Sequence, residues 1–158
     1  MSLIQEFHSD HQKVVVALCE LRQAIANYDV PGVRKILGCA ENLVGPHFKF
    51  EELYLYPALE RFLGESYTKK LYNEHDGVFR SIRRIAHLAQ NDTWSEVEQE
   101  SAKTNLELVY EHPIACDGLS LWMEKLGERE QEGLFQKMCE VREQATPLSE
   151  YYRERQNA

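Results

Sequence analysis

Four long segments of this chain repeat apolar side chains at intervals of three and four residues, the spacing of one face of an α-helix. They cover about 3–28, 31–63, 66–91 and 93–127, and only short turn-forming stretches separate them. Short connections make successive helices antiparallel neighbours. The sequence therefore predicts an all-α fold: an up-and-down antiparallel four-helix bundle over about 3–127, with an additional C-terminal helical segment over about 128–158.

Local signals mark the ends of these helices. Runs that match a capping box begin at Ser2 and at Thr93, and Ser66 is a candidate N-cap for the third helix. Gly64 and Gly127 are placed to end the second and the fourth helix, because glycine adopts the helix-terminating conformations without strain.

Two features modify this simple bundle. Pro46 lies inside the second helix and lacks a backbone N–H, which predicts a kink just before His47. The segment Leu134–Val141 and the piece that begins at Thr146 are expected to pack outside the bundle or against a second subunit. The inner face of the fourth helix is predicted to carry Trp94, Val97, Leu108, His112, Leu119, Met123 and Leu126.

The composition narrows the classes of partner. The 158 residues carry a net charge of −8, with 18 basic residues scattered among 26 acidic ones, so nucleic acid and anionic membrane surfaces are not expected partners. The N-terminal residues lack the features of a secretory signal, and no apolar run is long enough to span a bilayer. Four widely spaced cysteines without a C-x-x-C motif fit reduced thiols. We expect a soluble, cytoplasmic protein with a single domain over 1–158.

Histidines and carboxylates occur on all four helices. The candidate metal ligands are His11, His47, Glu51, His75, His112 and Asp117. His47 and Glu51 are four residues apart and therefore project from one helical face, one turn from each other. His11 lies about 18 residues before the first turn and His47 about 17 residues after it, so their heights match in an antiparallel pair. Counting across the other two turns brings His75 and His112 toward the same layer.

A single histidine on an apolar face is more often a hydrogen-bonded core or surface residue than a metal ligand. His8 and His87 are interpreted in this way, because His87 follows His75 by 12 residues and points about 120° away from it. Four buried histidines and two buried acids in one layer would instead need costly partners if no cation neutralised them. The six candidate ligands together therefore predict a dinuclear metal centre inside the bundle.

These residues form a recurring pattern. It consists of Asp10-His11, His47-x-x-x-Glu51-Glu52 followed by Tyr56-Pro57, Glu74-His75, and His112 with Asp117. Over about 3–127 the pattern resembles the hemerythrin-like family, also called the HHE cation-binding domain. The resemblance implies two non-haem irons, Fe2+ or Fe3+, bridged by Glu51, Asp117 and a solvent-derived oxo or hydroxo group. It also implies oxygen binding, oxygen or iron sensing, or a response to nitric oxide or oxidative stress.

The sequence departs from the family's oxygen carriers in the third helix. Those proteins carry two histidines four residues apart, whereas Leu71 and Phe79 lie four residues before and after His75. Each iron would then receive two imidazoles and keep an open position, which weakens a carrier function and favours sensing, iron handling or redox chemistry. The Glu-x-x-His pairs of ferritin-like di-iron proteins are also missing. On ligand type alone, zinc and manganese remain alternatives to iron.

Three functions remain open. The favoured one is a di-iron protein that binds or senses oxygen or a related diatomic, with O2 or NO as its small ligand, and is not an enzyme. The second is a di-iron enzyme that reduces peroxide or nitric oxide at the same site. The third is a metal-independent helical interaction module. A homodimer through the C-terminal helices is a further expectation, and Tyr72, Glu74 or Glu111 could complete the shell of one iron.

The bridging residue of the fourth helix has two candidates. In a regular helix Cys116 lies on the same face as His112, whereas Asp117 is rotated about 140° from it. A carboxylate can span two irons with its two oxygens, and Pro113 allows the following turn to widen into a π-turn, in which residues five apart align. The family's oxygen carriers also space this histidine and aspartate by five residues. Asp117 is therefore assigned as the bridge and Cys116 as its neighbour.

Overall fold

Eight α-helices and one π-helical turn make up most of residues 2–158, the part of the chain that the computed structural model describes. They are α1 (Leu3–Ala26), α2 (Val30–Phe50), the π-turn (Glu51–Leu55), α3 (Tyr56–Leu63), α4 (Glu65–Leu88), α5 (Glu96–Asp117), α6 (Ser120–Met123), α7 (Glu128–Gln144) and α8 (Leu148–Asn157). No β-strand occurs between residues 2 and 158. The predicted all-α fold is confirmed.

Four antiparallel rods form the bundle. The first rod is α1, the second consists of α2, the π-turn and α3, and the third and fourth are α4 and α5. α1 packs against α2 and α5, while α4 packs against α5 and α3 and also contacts α2, which closes the ring. The predicted four-helix bundle is therefore confirmed. Within residues 2–158, no helix combines the length and the apolar character that crossing a membrane requires.

The start of α1 and the end of α3 agree with the sequence-based prediction, whereas the start of α4 does not. Ser2 caps α1 through a capping box with Gln5, as predicted. Gly64 ends α3 with a φ of +81°, in the left-handed region where glycine is unstrained. α4 begins directly after Gly64, so Ser66 lies inside this helix and is not its N-cap.

The ends of α5 differ from the prediction. Its capping box is formed by Ser95 and Glu98 and does not involve Thr93: the Glu98 N–H donates to the Ser95 hydroxyl at 3.3 Å, and the Ser95 N–H donates to the Glu98 carboxylate at 2.8 Å. α5 ends at Asp117, and the short α6 follows it. Gly127 therefore does not end the fourth rod but immediately precedes α7.

The buried face of α5 also differs from the prediction. Val97 is 79% exposed and Leu108 is 67% exposed, so neither lies on the inner face. The polar Gln99 is buried instead, because its side-chain amide donates to the carbonyls of Ile25 and Ala26 at the end of α1. This contact satisfies carbonyl groups that the helix itself leaves free. The buried positions of α5 are Gln99, Ala102, Leu106, Val109, His112, Pro113 and Cys116.

A π-turn interrupts the second rod after Glu51. α2 remains α-helical through Pro46 to Phe50, so the irregularity expected just before His47 lies instead beyond it. The Tyr56 N–H donates to the carbonyl of Glu51, five residues earlier, as a π-turn requires. The extra residue changes the helical register, and Tyr56 becomes a fully buried side chain.

A proline and a tyrosine fit the hydrogen bonding of this π-turn. Pro57 has no N–H, so it cannot donate to the carbonyl of Glu52 five residues earlier. The Tyr72 hydroxyl of α4 donates to this carbonyl at 2.6 Å. The carbonyl that the turn would leave unpaired is thus satisfied from the neighbouring rod.

A polar layer separates two apolar halves of the interior. The half beside the α1–α2 turn and the α4–α5 connection includes Leu21, Ile25, Val30, Ile85, Leu88 and Trp94. The half beside the start of the chain and the α3–α4 turn includes Leu3, Phe7, Leu59, Leu71, Leu119 and Met123. The candidate ligands lie between these two halves and are therefore surrounded by apolar side chains above and below.

The two C-terminal helices, α7 and α8, pack against the outer side of α2. Gly45 permits this approach, because a Cβ atom there would collide with the backbone of Thr146 and lie 2.5 Å from the amide nitrogen of Leu148. The Lys49 ammonium lies 3.1 Å from the Glu154 carboxylate across the same interface. The C-terminal segments thus lie outside the four rods, against the α2 of their own chain.

Candidate metal centre

Four histidines from four different helices meet in the polar layer. His11 comes from α1, His47 from α2, His75 from α4 and His112 from α5, and all four are buried. Phe48 stacks on the His75 ring with 3.6 Å between ring centroids, which limits how that imidazole can turn. The four histidines therefore meet in one layer, as the heights estimated from their distances to the turns had predicted.

The first ligand group consists of His11, His47 and Glu51. The two imidazole Nε2 atoms lie 3.1 Å apart. The Glu51 Oε1 atom lies 3.3 Å from Nε2 of His47 and 3.9 Å from Nε2 of His11. Two nitrogens and one oxygen thus converge on one point, in an arrangement that can hold a metal ion.

The second ligand group consists of Glu51, His75 and His112. The Glu51 Oε2 atom lies 3.0 Å from Nε2 of His75. One ligand atom from each of the three residues lies within 4.8 Å of the other two. Glu51 therefore belongs to both groups and directs one carboxylate oxygen to each, which is the geometry of a side chain that can bridge two ions.

Each of the four histidines also has a carboxylate near its Nδ1 atom. The pairs are His47 and Asp10 at 3.3 Å, His75 and Glu52 at 2.9 Å, His11 and Asp117 at 3.1 Å, and His112 and Glu74 at 3.4 Å. In the first three pairs the carboxylate is within hydrogen-bond geometry of the outer nitrogen, where it fixes the ring orientation and makes the inner nitrogen a better metal ligand. Two of these acids, Asp10 and Glu74, directly precede His11 and His75 in the sequence. In the structure, however, Asp10 lies beside His47 and Glu74 lies beside His112.

His112 provides the test of whether a cation fits. Its two ring nitrogens are buried and neither has a hydrogen-bond partner among residues 2–158, since the 3.4 Å approach of Glu74 lacks hydrogen-bond geometry. A buried nitrogen without a partner is costly, and an ion coordinated by this imidazole would remove that cost. The donor set of four imidazoles and one shared carboxylate suits transition-metal ions.

Burial lowers the pKa of two of the histidines. Burial and the nearby positive charge of His47 lower the pKa of His11 to about 4. Burial and the charge of His75 likewise lower the pKa of His112 to about 4. Both imidazoles are therefore neutral at pH 7 and can offer a lone pair to a metal without first losing a proton.

Neighbouring carboxylates raise the pKa of the other two histidines. Burial alone would lower the pKa of His47, but Glu51 and Asp10 outweigh it and raise the pKa to about 10. Burial is similarly outweighed at His75, whose pKa is raised by Glu51 and Glu52. Burial would raise the pKa of Glu51, but His47 and His75 hold it well below its usual range. Each ligand group thus contains one histidine whose protonated form is favoured by carboxylates, and a bound metal cation would provide that positive charge instead.

The structure does not bring Asp117 into either group. α5 is α-helical through Pro113, so the π-turn expected there does not form. Cys116, four residues after His112, faces the centre, and its thiol donates to Glu51 Oε1 at 2.8 Å. The Asp117 side chain is 29% exposed and lies on the outer side of His11. The bridging position assigned to Asp117 therefore requires revision: its carboxylate is placed to orient His11.

Two histidines that the sequence analysis left out have separate outcomes. His87 is exposed, in agreement with its interpretation as a surface residue. His8 is also exposed, but its Nδ1 atom lies 2.9 Å from the Asp117 carboxylate and its Nε2 atom lies 3.1 Å from the Gln12 amide. His8 therefore extends the hydrogen-bonded shell around His11 without entering the ligand layer.

Sequence reasoning missed Tyr56 as a residue of the site. Its hydroxyl lies 2.8 Å from Nε2 of His75 and 3.4 Å from Oε2 of Glu51. Burial and the Glu51 charge raise its pKa well above the usual range. The only available signal was the Tyr56-Pro57 pair in the family pattern. Among the residues considered for completing a metal shell, Tyr72 instead donates to a backbone carbonyl, and Glu111 is exposed.

The two C-terminal helices supply a further layer of contacts that the sequence did not indicate. Arg142 of α7 lies 2.9 Å from the Asp10 carboxylate. From α8, the Tyr151 hydroxyl donates to Glu52 at 2.6 Å, and Arg155 Nε lies 3.3 Å from the same carboxylate. Asp10 and Glu52 are the acids that orient His47 and His75. These contacts join residues about 100 to 130 positions apart, and no local pattern could reveal them.

The chain was compared with known protein families, curated proteins and solved structures. The family model described as the hemerythrin HHE cation binding domain matches residues 2–138. No curated protein and no solved structure gives a match. The matched residues include all four histidines, the shared carboxylate and the acids at their outer nitrogens.

Proposed function

Because this chain belongs to the hemerythrin HHE cation-binding domain family, we propose that it holds two iron ions and uses them to sense or buffer O2 or NO. The observation that supports this proposal most strongly is the placement of Glu51. Its two carboxylate oxygens point to separate pairs of buried histidines, 3.3 Å from His47 on one side and 3.0 Å from His75 on the other.

The two metal positions would use different residues of the chain. His11, His47 and one oxygen of Glu51 would hold the first ion, while His75, His112 and the other oxygen of Glu51 would hold the second. In this proposal Asp117 orients His11 through the outer ring nitrogen and does not bridge. Iron bound here would supply a change of oxidation state and a coordination position for a diatomic ligand.

The same residues favour a sensing or buffering function over an oxygen carrier. Each ligand group offers two imidazoles, and the positions four residues before and after His75 are Leu71 and Phe79. These apolar side chains cannot add a third nitrogen to the second group. The ligand layer also lies between two apolar halves of the core. Both properties suit the binding of a small neutral ligand.

The proposal is tested by metal analysis together with an absorption spectrum of the purified protein. We expect close to two irons per chain after expression in iron-rich medium, and an absorption band in the near ultraviolet from the ferric protein. Zinc alone, or no metal, would refute the iron assignment. Rapid turnover of peroxide or nitric oxide with an added reductant would show instead that the protein is an enzyme.

Three substitutions test the shared carboxylate directly. Glu51→Ala should lose both ions, His11→Ala should lose the first ion and His112→Ala the second. Glu111→Ala is the matched control, because Glu111 is exposed and adjacent in sequence to His112. Retention of both ions by Glu51→Ala would show that Glu51 does not connect the two groups.

A further inference from the structure

An apolar cavity of about 50 Å³ lies in the bundle directly against the histidine layer. His11, His47 and His112 form one end of it. Beyond them its walls consist almost entirely of apolar side chains from the bundle helices, such as Val14 and Val44. A cavity of this size exceeds the roughly 10–15 Å³ that one water molecule needs, but apolar cavities of this kind stay dry. The space therefore suits a small apolar molecule better than water.

Two half-buried alanines line the cavity and form a seam of small side chains between α1 and α2. Ala17 lies nine residues before the end of α1 at Ala26, and Ala40 lies ten residues after the start of α2 at Val30. In an antiparallel pair these two alanines are at the same height. Both line the cavity and both are half-buried. Two methyl groups at this height fill the space between α1 and α2 less than larger side chains would.

The one acidic side chain along this cavity is engaged elsewhere. Glu41 accepts hydrogen bonds from the Ser149 N–H at 3.0 Å and from the Ser149 hydroxyl at 2.9 Å. Its carboxylate is thereby held against α8. A charged solute that entered at the seam would therefore meet no group able to replace its hydration before it reached the histidines.

The other openings that reach the histidines are polar. A cleft between α4 and α5 leads to His112 past Glu74 and Arg80. A second cleft leads to His47 past Lys13 and Arg142. Charged ligands can keep polar contacts along either of these paths. The apolar cavity therefore differs from both clefts, because it can admit neutral apolar molecules and not charged ones.

We propose that this cavity is the access route and waiting site for neutral diatomic molecules, with its mouth at the seam of Ala17 and Ala40. O2 and NO enter there, move between α1 and α2, and arrive at the end formed by His11, His47 and His112. The identity of the ligand rests on the proposed function, but the cavity and its mouth do not depend on a bound metal.

The first experiment measures xenon binding, which reports on apolar cavities whether or not metal is present. Crystals of the wild-type protein under xenon pressure should show a xenon atom between Val14, Val44 and the histidine layer. Ala40→Phe, with its larger side chain at the mouth, should reduce the xenon occupancy reached in a short exposure. A wild-type crystal without xenon at this position would overturn the proposal.

The second experiment measures the rate of NO association with the iron(II) protein. Ala40→Phe and Ala17→Phe should each slow it by about tenfold, as roughly 1.4 kcal/mol of added barrier would. Azide is charged, and its equilibrium affinity for the ferric protein should not change. The matched control is Ala115→Phe, which adds the same ring in the exposed polar cleft and should leave the NO rate unchanged.

The outcomes of the two experiments distinguish a failure of the access route from a failure of the proposed function. Unchanged NO rates in both variants would overturn the route, and so would an equal loss of azide affinity, since that would indicate a general disturbance of the centre. If one variant fails to fold, the other carries the test, with thermal melting as the check. If the protein binds no iron, the proposed function fails and xenon occupancy alone decides whether the cavity admits apolar gases.

Discussion

The Tyr56 hydroxyl lies 2.8 Å from Nε2 of His75 and 3.4 Å from Oε2 of Glu51. Both of these atoms belong to the second ligand group, so Tyr56 adds an oxygen to that group. Tyr56 is directed inward by the π-turn, whose five-residue hydrogen bond runs from its own N–H to the carbonyl of Glu51. The backbone irregularity and the composition of the site are therefore two results of one local change in the helix.

Tyr56→Phe should lower the affinity for the second metal ion by about 10–100-fold, the range found for residues that contact metal ligands. Titration is best performed in a His11→Ala background, in which only the second group remains. Tyr72→Phe is the matched control, because the Tyr72 hydroxyl donates to the Glu52 carbonyl outside the ligand layer. Equal affinities of the Tyr56→Phe protein and its parent would contradict a function of this hydroxyl at the centre.

Asp117→Ala and Cys116→Ser should both retain two metal ions. Asp117 contacts the outer nitrogen of His11 at 3.1 Å, so its loss should weaken the first ion by about 10–100-fold without removing the second. Cys116 lies outside both groups, although its thiol contacts Glu51. The measurement is metal content at a fixed free-metal concentration. Complete loss of both ions from Asp117→Ala would restore Asp117 as the bridge.

Metal binding to the first ligand group at pH 7 should release about one proton. His47, with a pKa raised to about 10, carries a proton that a metal must displace, and the pKa of His75 is raised in the same direction. His11 and His112, with pKa values lowered to about 4, are already neutral. The affinity of the first group should thus rise about tenfold from pH 7 to pH 8. Calorimetry in buffers of different ionisation enthalpy counts the released protons, and an affinity that falls over this range would contradict the assignment.

Removal of the metal should lower the melting temperature. An ion present at about 1,000 times its dissociation constant stabilises the fold by roughly 4 kcal/mol. For a chain of this length, that free energy corresponds to a shift of roughly 8–16 °C. Differential scanning calorimetry of metal-free and metal-loaded protein measures the shift. Glu51→Ala serves as the control, because a variant that holds no ion should melt at the same temperature with and without added metal.

Sequence periodicity was sufficient to predict the bundle and the meeting of the four histidines. The rise of an α-helix is constant, so distances from the turns translate into heights, and this counting brought His11 and His47 to one layer. It failed at α5 because the polar Gln99 is buried by a hydrogen bond to α1, which no pattern within α5 records. Val97 and Leu108 therefore lie on the exposed face, although their apolar character had predicted the buried face.

The details of the site were harder to predict because they depend on single extra residues and on distant contacts. A π-turn was expected in the last rod at Pro113, whereas it occurs in the second rod after Glu51. Because α5 stays α-helical, Cys116 and not Asp117 lies on its inner side. Because the π-turn follows Glu51, Tyr56 is directed to the centre. The contacts of Arg142 with Asp10 join opposite ends of the chain and leave no trace in either local sequence.

The last helix has a mechanical connection to the centre of the protein. Tyr151 and Arg155 hold Glu52, and Glu52 holds His75, so the order of α8 and the order of the ligand layer depend on one another. Because such coupling is reciprocal, an ion at His75 would slow hydrogen exchange at the amides of α8, and detachment of α8 would loosen the ion. A chain cut at residue 138, where the family match ends, would keep every histidine and lose the contacts of Tyr151 and Arg155 with Glu52.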